Sequence, residues 1–258
     1  MKNYLKIMTK NELKYISKLL FKKYRNESEL FLIEGEKIVY EAVKSFYKTD
    51  KIFIEKNSVD RFFEISQIAK QKNIEIELVS NNDIEKICDS KSPQGIAALV
   101  NKHNQQLFKN GLITAVENVQ DPGNVGTIIR NCDWFGCNQV LLSCDTVELY
   151  NPKLIRSSMG SIFHINVFSS NDFYTDLISL QRNGYKLFCA DLRGIDIKEI
   201  SFSKKSVLVF CNESQGPSEK LLELNPDKVT IKKFGNAESL NVANASAVVL
   251  SEFAYRRL

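Results

Sequence analysis

The 258-residue sequence is poor in histidine, with only His103 and His164. Its six cysteines, Cys88, Cys132, Cys137, Cys144, Cys189 and Cys211, contain no CxxC pair. Without clustered ligands a zinc site is not expected. No GxGxxG is present, which removes the dinucleotide fingerprint, and no GxxxxGK[ST], which removes the P-loop. No acyl-transfer triad signature or paired metal site is visible. No apolar run reaches membrane length and no hydrophobic signal opens the chain, so neither a membrane partner nor secretion is expected. The bare reading is a cytoplasmic protein with reduced, buried thiols. No internal repeat or low-complexity tract interrupts it.

Hydrophobic residues make up 43% and charged residues 26%, enough for a core and too balanced for general disorder. The net charge of +4 selects no partner by itself. Its distribution says more. Residues 1–25 carry eight basic side chains against one acid, Glu12, and Lys6, Lys10, Lys14 and Lys18 recur every fourth position. On a helix these form one basic face, suited to phosphates or simply to water.

Two segments are expected. Residues 1–101 alternate helices (near 10–23, 36–45, 60–71 and from Ser80 or Asn81 to Cys88) with strands (51–55, 74–79, 95–100), a small α/β domain. Residues 102–110 are polar and read as a linker. Residues 111–258 open with the apolar strand 112–116 and continue through strands at 139–142, 186–190, 207–211 and 228–231. Helices are expected near 153–159, 171–181 and 241–256, with another that Asn124 caps. Strands apolar on both faces indicate a mostly parallel sheet covered on both sides.

Glycines mark three strand ends in this second segment: Gly123 and Gly126, Gly216, and Gly235. Ligands of open parallel sheets bind beyond such ends. Asn124, Arg130, Asn212, Glu213, Ser239 and Asn241 gather there. Read bare, Asn124 and Asn241 are also helix caps, and Arg130 a surface cation or ion-pair partner. Spacing alone leaves the reaction type open.

Three blocks in order then carry a resemblance. The first runs Glu117-Asn118-Val119-Gln120-Asp121-Pro122-Gly123-Asn124 and on through Gly126 to Arg130. The second is Leu208-Val209-Phe210-Cys211-Asn212-Glu213-Ser214-Gln215-Gly216. The third is Ile231 to Gly235, followed by Ser239-Leu240-Asn241-Val242-Ala243. Together they resemble the SpoU (TrmH-like) family of RNA ribose methyltransferases, of the knotted methyltransferase superfamily, over almost the whole chain. Phe31-Leu32-Ile33-Glu34-Gly35 and Ser92-Pro93-Gln94-Gly95-Ile96 resemble that family's L30e-like substrate-binding domain.

The resemblance implies an α/β chain. An L30e-like domain at 1–101 would precede a trefoil-knotted parallel-sheet methyltransferase domain at 111–258. It implies S-adenosyl-L-methionine as cofactor, held by Cys211, Gly216, Ile231 and Leu240, and no metal, because the sulfonium already activates the methyl group. It implies a homodimer acting on structured RNA, most readily ribosomal, and not on DNA. Transfer RNA and a noncatalytic role in ribosome assembly are the alternatives.

Carried over by position, Arg130 activates the ribose hydroxyl. Arginine is normally protonated, so orienting the hydroxyl or a phosphate and stabilising negative charge stands beside true deprotonation. Asn124 is expected to position Arg130, Glu213 to anchor the second loop or orient Arg130, and Ser239 and Asn241 to hold the third. Arg156, Lys10, Lys14 and Lys18 are the expected RNA contacts, and His164 is structural. One departure stands out. Cys211 and Ser214 occupy positions often filled by glycine, and a positive φ at either would be strained and weaken cofactor binding.

Overall fold

The computed structural model describes residues 6–103, 106 and 110–256, and the backbone alone for 6 and 7. The expected linker at 102–110 lies largely outside the described residues. The chain forms two compact units, one of Met1–Asn104 with Tyr150–Phe163, the other of Gln105–Leu149 with His164–Leu258.

The first unit holds a mixed sheet. Its strands are β1 (Lys6–Ile7), β2 (Leu30–Glu34), β3 (Thr49–Glu55), β4 (Glu75–Val79) and β5 (Ile96–Asn101), in the order β1-β4-β3-β5-β2. Its helices are α1 (Lys10–Lys18), α2 (Lys22–Asn26), α3 (Glu36–Lys44), α4 (Phe63–Gln71), α5 (Asn81–Ile87) and α7 (Pro152–Ser158). Thr9 and Glu12 close a capping box at the start of α1. Lys6 therefore falls on β1, and the helix carries only Lys10, Lys14 and Lys18 of the four-residue repeat. The expected helix 10–23 breaks after Lys18. Buried Arg25 donates to the Leu19 carbonyl at 2.8 Å, satisfying an acceptor that a continuous helix would have used. Ser80, not Asn81, caps α5.

Tyr150–Phe163 groups with this unit, not with the carboxyl-terminal domain the sequence led us to expect. The Tyr150 ring packs on Phe31 at 4.4 Å and Phe163 meets Tyr47 edge-on at 5.1 Å. Gly160 adopts φ +98°, and a Cβ there would lie 2.6 Å from Glu41 Cγ, so only glycine lets this segment lie so close.

The second unit holds a six-stranded, all-parallel sheet. Its strands are β6 (Ile113–Glu117), β7 (Gln139–Leu142), β8 (Asn166–Ser169), β9 (Lys186–Asp196), β10 (Ser206–Cys211) and β11 (Asp227–Thr230), ordered β11-β9-β10-β6-β7-β8. Its helices are α6 (Pro122–Trp134), α8 (Phe173–Arg182), α9 (Glu219–Glu223) and α10 (Val242–Arg256). Every residue of β6 and β10 is buried, as expected of central strands covered on both faces. Ile113, Ala115, Val207 and Val209 pack against Phe173, Leu177 and Leu180 of α8. On the other face α6 packs against α10, where Asn131 donates to the Ala243 carbonyl and Ser246 Oγ, each at 2.9 Å.

The chain runs from β6 outward to β7 and β8, then returns to fill the opposite side. The order thus reverses between β6 and β10, and a crevice at such a switch point is where open α/β sheets bind ligands. Along β9 the ladder pairs Cys189 with Lys228 and then Ile195 with Val229, so residues 190–194 leave the register. Among the described residues no helix is long and apolar enough to cross a membrane.

Candidate active site

The carboxyl ends of β10 and β11, with residues 190–193 of β9, open into a cleft of about 670 Å³. Phe210, Val229, Ile231, Leu240, Val242 and Val249 supply apolar walls, and Asp191, Asn212, Glu213 and Ser239 supply polar groups. All four residues expected at the cofactor, Cys211, Gly216, Ile231 and Leu240, line it.

Three side chains from distant parts of the sequence meet beside the cleft. Asn124 Nδ2 donates to Glu213 Oε1 at 3.2 Å, and Asn241 Nδ2 donates to the same oxygen at 2.9 Å. Asn241 Nδ2 also donates to Asn124 Oδ1 at 3.0 Å. The Val242 amide completes the set on Glu213 Oε1 at 2.8 Å. Glu213 therefore links the loop after β10 to the start of α10.

Asn124 is free to join this cluster because it is not the helix cap. Asp121 is, its Oδ1 accepting from the Asn124 amide at 2.9 Å, with Pro122 at the first helical position. Asn241 is both cap and bridge. Its Oδ1 accepts from the Ala243 amide at 2.9 Å while its Nδ2 serves the cluster.

Arg130 is not part of the cluster, which corrects the expectation that Asn124 or Glu213 orients it. Six residues along α6 turn it about 120° away from Asn124. Exposed, it does not line the cleft and has no hydrogen-bond partner among the described residues. Asn131, seven residues on, shares the Asn124 face instead. Ser239 lines the cleft with a hydroxyl that meets no partner among the described residues.

Arg156 lies in the first unit, where it donates to Glu34 Oε1 at 2.5 Å and Asp89 Oδ2 at 2.6 Å. Burial opposes its charge, but Asp89 and Glu34 outweigh burial and raise its pKa. Two carboxylates thus already occupy this guanidinium, in place of the expected phosphate. On α1, Lys10 and Lys14 are exposed and Lys18 lies over the Tyr24 ring at 5.1 Å. His164 Nδ1 pairs with Asp133 Oδ2 at 2.8 Å.

The feared strain is absent. Asn73, Asn118, Met159 and Asn225 are the non-glycine residues with positive φ among those described, while Gly216 supplies the left-handed turn of the second loop at φ +66°. The hydrogen bond with Cys189, whose Sγ lies 3.7 Å away, and burial both push the Cys211 thiol above its ordinary pKa. Cys211 is thus a neutral wall.

One further residue escaped the sequence reading. Glu117, fully buried at the end of β6, accepts from Tyr174 Oη at 2.9 Å, Ser218 Oγ at 2.6 Å and the Ser218 amide at 3.1 Å. It ties the far end of loop 212–218 to the central strand. Burial, more than the opposing Ser218 hydrogen bond, raises the Tyr174 phenol and keeps it a donor. An acid ending an otherwise apolar strand was the available signal.

Residues 111–251 match the family described as SpoU rRNA Methylase, and residues 10–98 match the MRM3-like substrate binding domain. A Bacillus subtilis (strain 168) protein named 23S rRNA (guanosine(2553)-2′-O)-methyltransferase RlmP is 34% identical over 90% of this chain and 92% of its own. The mitochondrial rRNA methyltransferase 3 of Xenopus tropicalis is 29% identical over 69% of this chain and 44% of its own. The AdoMet-bound rRNA methyltransferase from Sinorhizobium meliloti superposes with a TM-score of 0.86 at 27% identity, covering 99% of each chain.

Proposed function

The chain belongs to the SpoU rRNA methylase family, and from that premise we propose that it transfers a methyl group from S-adenosylmethionine to a ribose 2′-hydroxyl of ribosomal RNA. The observation that carries this reading is the meeting of Asn124, Glu213 and Asn241, one from each sequence block, beside a single cleft.

The cleft fits the cofactor. Apolar walls at Ile231, Leu240 and Val249 suit the adenine base, and Glu213 and Ser239 offer polar groups for the cofactor's charged or hydroxyl groups. The cofactor supplies an electrophilic methyl group on a sulfonium. Beside such an electrophile a thiolate would be alkylated, and the neutral Cys211 avoids that loss. We read loops 212–218 and 231–241 as segments of the trefoil knot.

The attacking hydroxyl must be aligned with the methyl group and lose its proton as the bond forms. Arg130 is the residue we assign to orient that hydroxyl or its phosphate and stabilise developing charge. It points away from its own cluster, so we assign it to the cleft of a second subunit in a homodimer. Trp134 of α6 and Tyr255 of α10 support that dimer, standing 83% and 76% exposed on packed neighbouring helices. Six free cysteines fit the cytoplasm. The amino-terminal unit, through Lys10, Lys14 and Lys18, would hold the RNA.

Labelled S-adenosylmethionine with purified 23S rRNA and with transfer RNA tests the reading. It expects label in 23S rRNA, recovered in an alkali-resistant dinucleotide. Label confined to transfer RNA would overturn the ribosomal assignment, and label on a base would overturn the ribose one.

A further inference from the structure

Resting on that reading, we propose that Phe234 is a stacking platform for a base of the bound RNA next to the target ribose, with Lys232 and Lys233 contacting its phosphates. Phe234 lines the cleft yet is 89% exposed, more than any other large hydrophobic residue among those described. No ring is stacked on it among the described residues, and Lys232 Nζ lies 5.7 Å from its centroid. Residues 232–241 are all exposed, and no hydrogen bond holds a side chain of 232–240 among the described residues. The segment is fixed at its two ends, by β11 on one side and by the Asn241–Glu213 contact on the other.

This is a poor arrangement for stabilising the chain itself, because an aromatic ring left in water contributes little to folding. It suits a ligand. A ribose hydroxyl reaches a recessed cleft only if its nucleotide is splayed from the RNA stack, which leaves bases without neighbours. An aromatic face takes such a base whatever its identity. The phosphates flanking the same ribose arrive with it, and the cleft mouth meets them with Lys232 and Lys233, while the 84%-exposed Arg193 nearby already pairs with Asp191 at 3.7 Å. Asp191 is balanced by Lys228 at 3.1 Å and Arg193 at 3.7 Å, and within residues 232–241 Glu238 is the one acid set against Lys232 and Lys233.

The test compares full-length wild type with Phe234→Ala, Phe234→Leu and Phe234→Tyr. The probe is an unmodified 23S rRNA transcript at saturating S-adenosylmethionine. Stacking predicts that Ala and Leu raise KM for RNA roughly ten- to a hundredfold. It predicts that Tyr stays near wild type and that Kd for the cofactor is unchanged in all three. Lys232→Ala and Lys233→Ala should each lower the slope of log affinity against log salt by roughly 0.7–0.9. An unchanged KM in Phe234→Ala overturns the proposal. So does a Leu variant that retains wild-type KM while the Ala variant sediments as a monomer, since the ring would then be a subunit contact. A wild type that methylates no RNA refutes the proposed function instead. Stacking is then read from filter retention of the same transcript, where equal affinity of wild type and Phe234→Ala overturns it.

Discussion

Asn124 and Asn241 are separated by 117 positions in the chain and by 3.0 Å in space, and each also donates to the same oxygen of Glu213. Asn241 does this with its amide nitrogen while its amide oxygen caps α10. Substitutions can separate the two jobs. Asn241→Ala removes both and should cost about 1 kcal/mol for the cap, roughly 2–4 °C in Tm, and weaken cofactor binding. Asn241→Asp keeps the cap oxygen but sets a carboxylate against Glu213. It should bind cofactor worse than Asn241→Ala while melting no lower. Calorimetry and cofactor titration on both variants check this.

Glu117 should matter to the cleft without touching it. Glu117→Ala leaves the Ser218 amide, Ser218 Oγ and Tyr174 Oη without their buried acceptor, a loss of about 3 kcal/mol and roughly 6–12 °C in Tm. Glu117→Gln keeps one carbonyl acceptor and should fall between. Thermal melts order the three proteins.

Arg130→Ala should abolish turnover and leave cofactor affinity intact. If Arg130 serves the neighbouring subunit, mixing Arg130→Ala with an inactive cleft variant such as Glu213→Ala and allowing subunits to exchange should restore activity. The mixed dimer then contains one intact site. A mixture as inactive as its parts would place Arg130 in its own subunit's cleft.

The basic face of α1 should act through charge. Replacing Lys10, Lys14 and Lys18 by alanine together should lower the salt slope of RNA binding by up to about 2–3 and leave cofactor affinity unchanged. Filter binding across a salt series measures it.

Much of the second unit was legible because buried parallel strands are written as continuous apolar runs, and β6, β7 and β10 lie within a residue or two of where those runs placed them. The site residues were legible through their motifs, but their contacts were not. Asn124 read as a cap because Asp121 and Asn124 are both capping residues, and only the Asp121 geometry decides between them. Arg130 was expected beside Asn124 although helical geometry places i+7, not i+6, on a shared face. That Tyr150–Phe163 packs with the first unit could not be read from the sequence, because a segment's packing partner depends on long-range contacts such as Tyr150 on Phe31, which local pattern does not encode. The break after α1 hangs on Arg25 folding back to Leu19, a tertiary event that helix propensity misses.

The most direct test of the central claim is a ribose-methylation map of total RNA from cells with and without the gene, followed by treatment of the deficient RNA with purified protein and S-adenosylmethionine. The account predicts that one 2′-O-methyl mark in 23S rRNA is lost and that the wild-type protein restores it where Arg130→Ala does not. An unchanged ribose map in the deficient cells, with no incorporation by the folded protein, would contradict it.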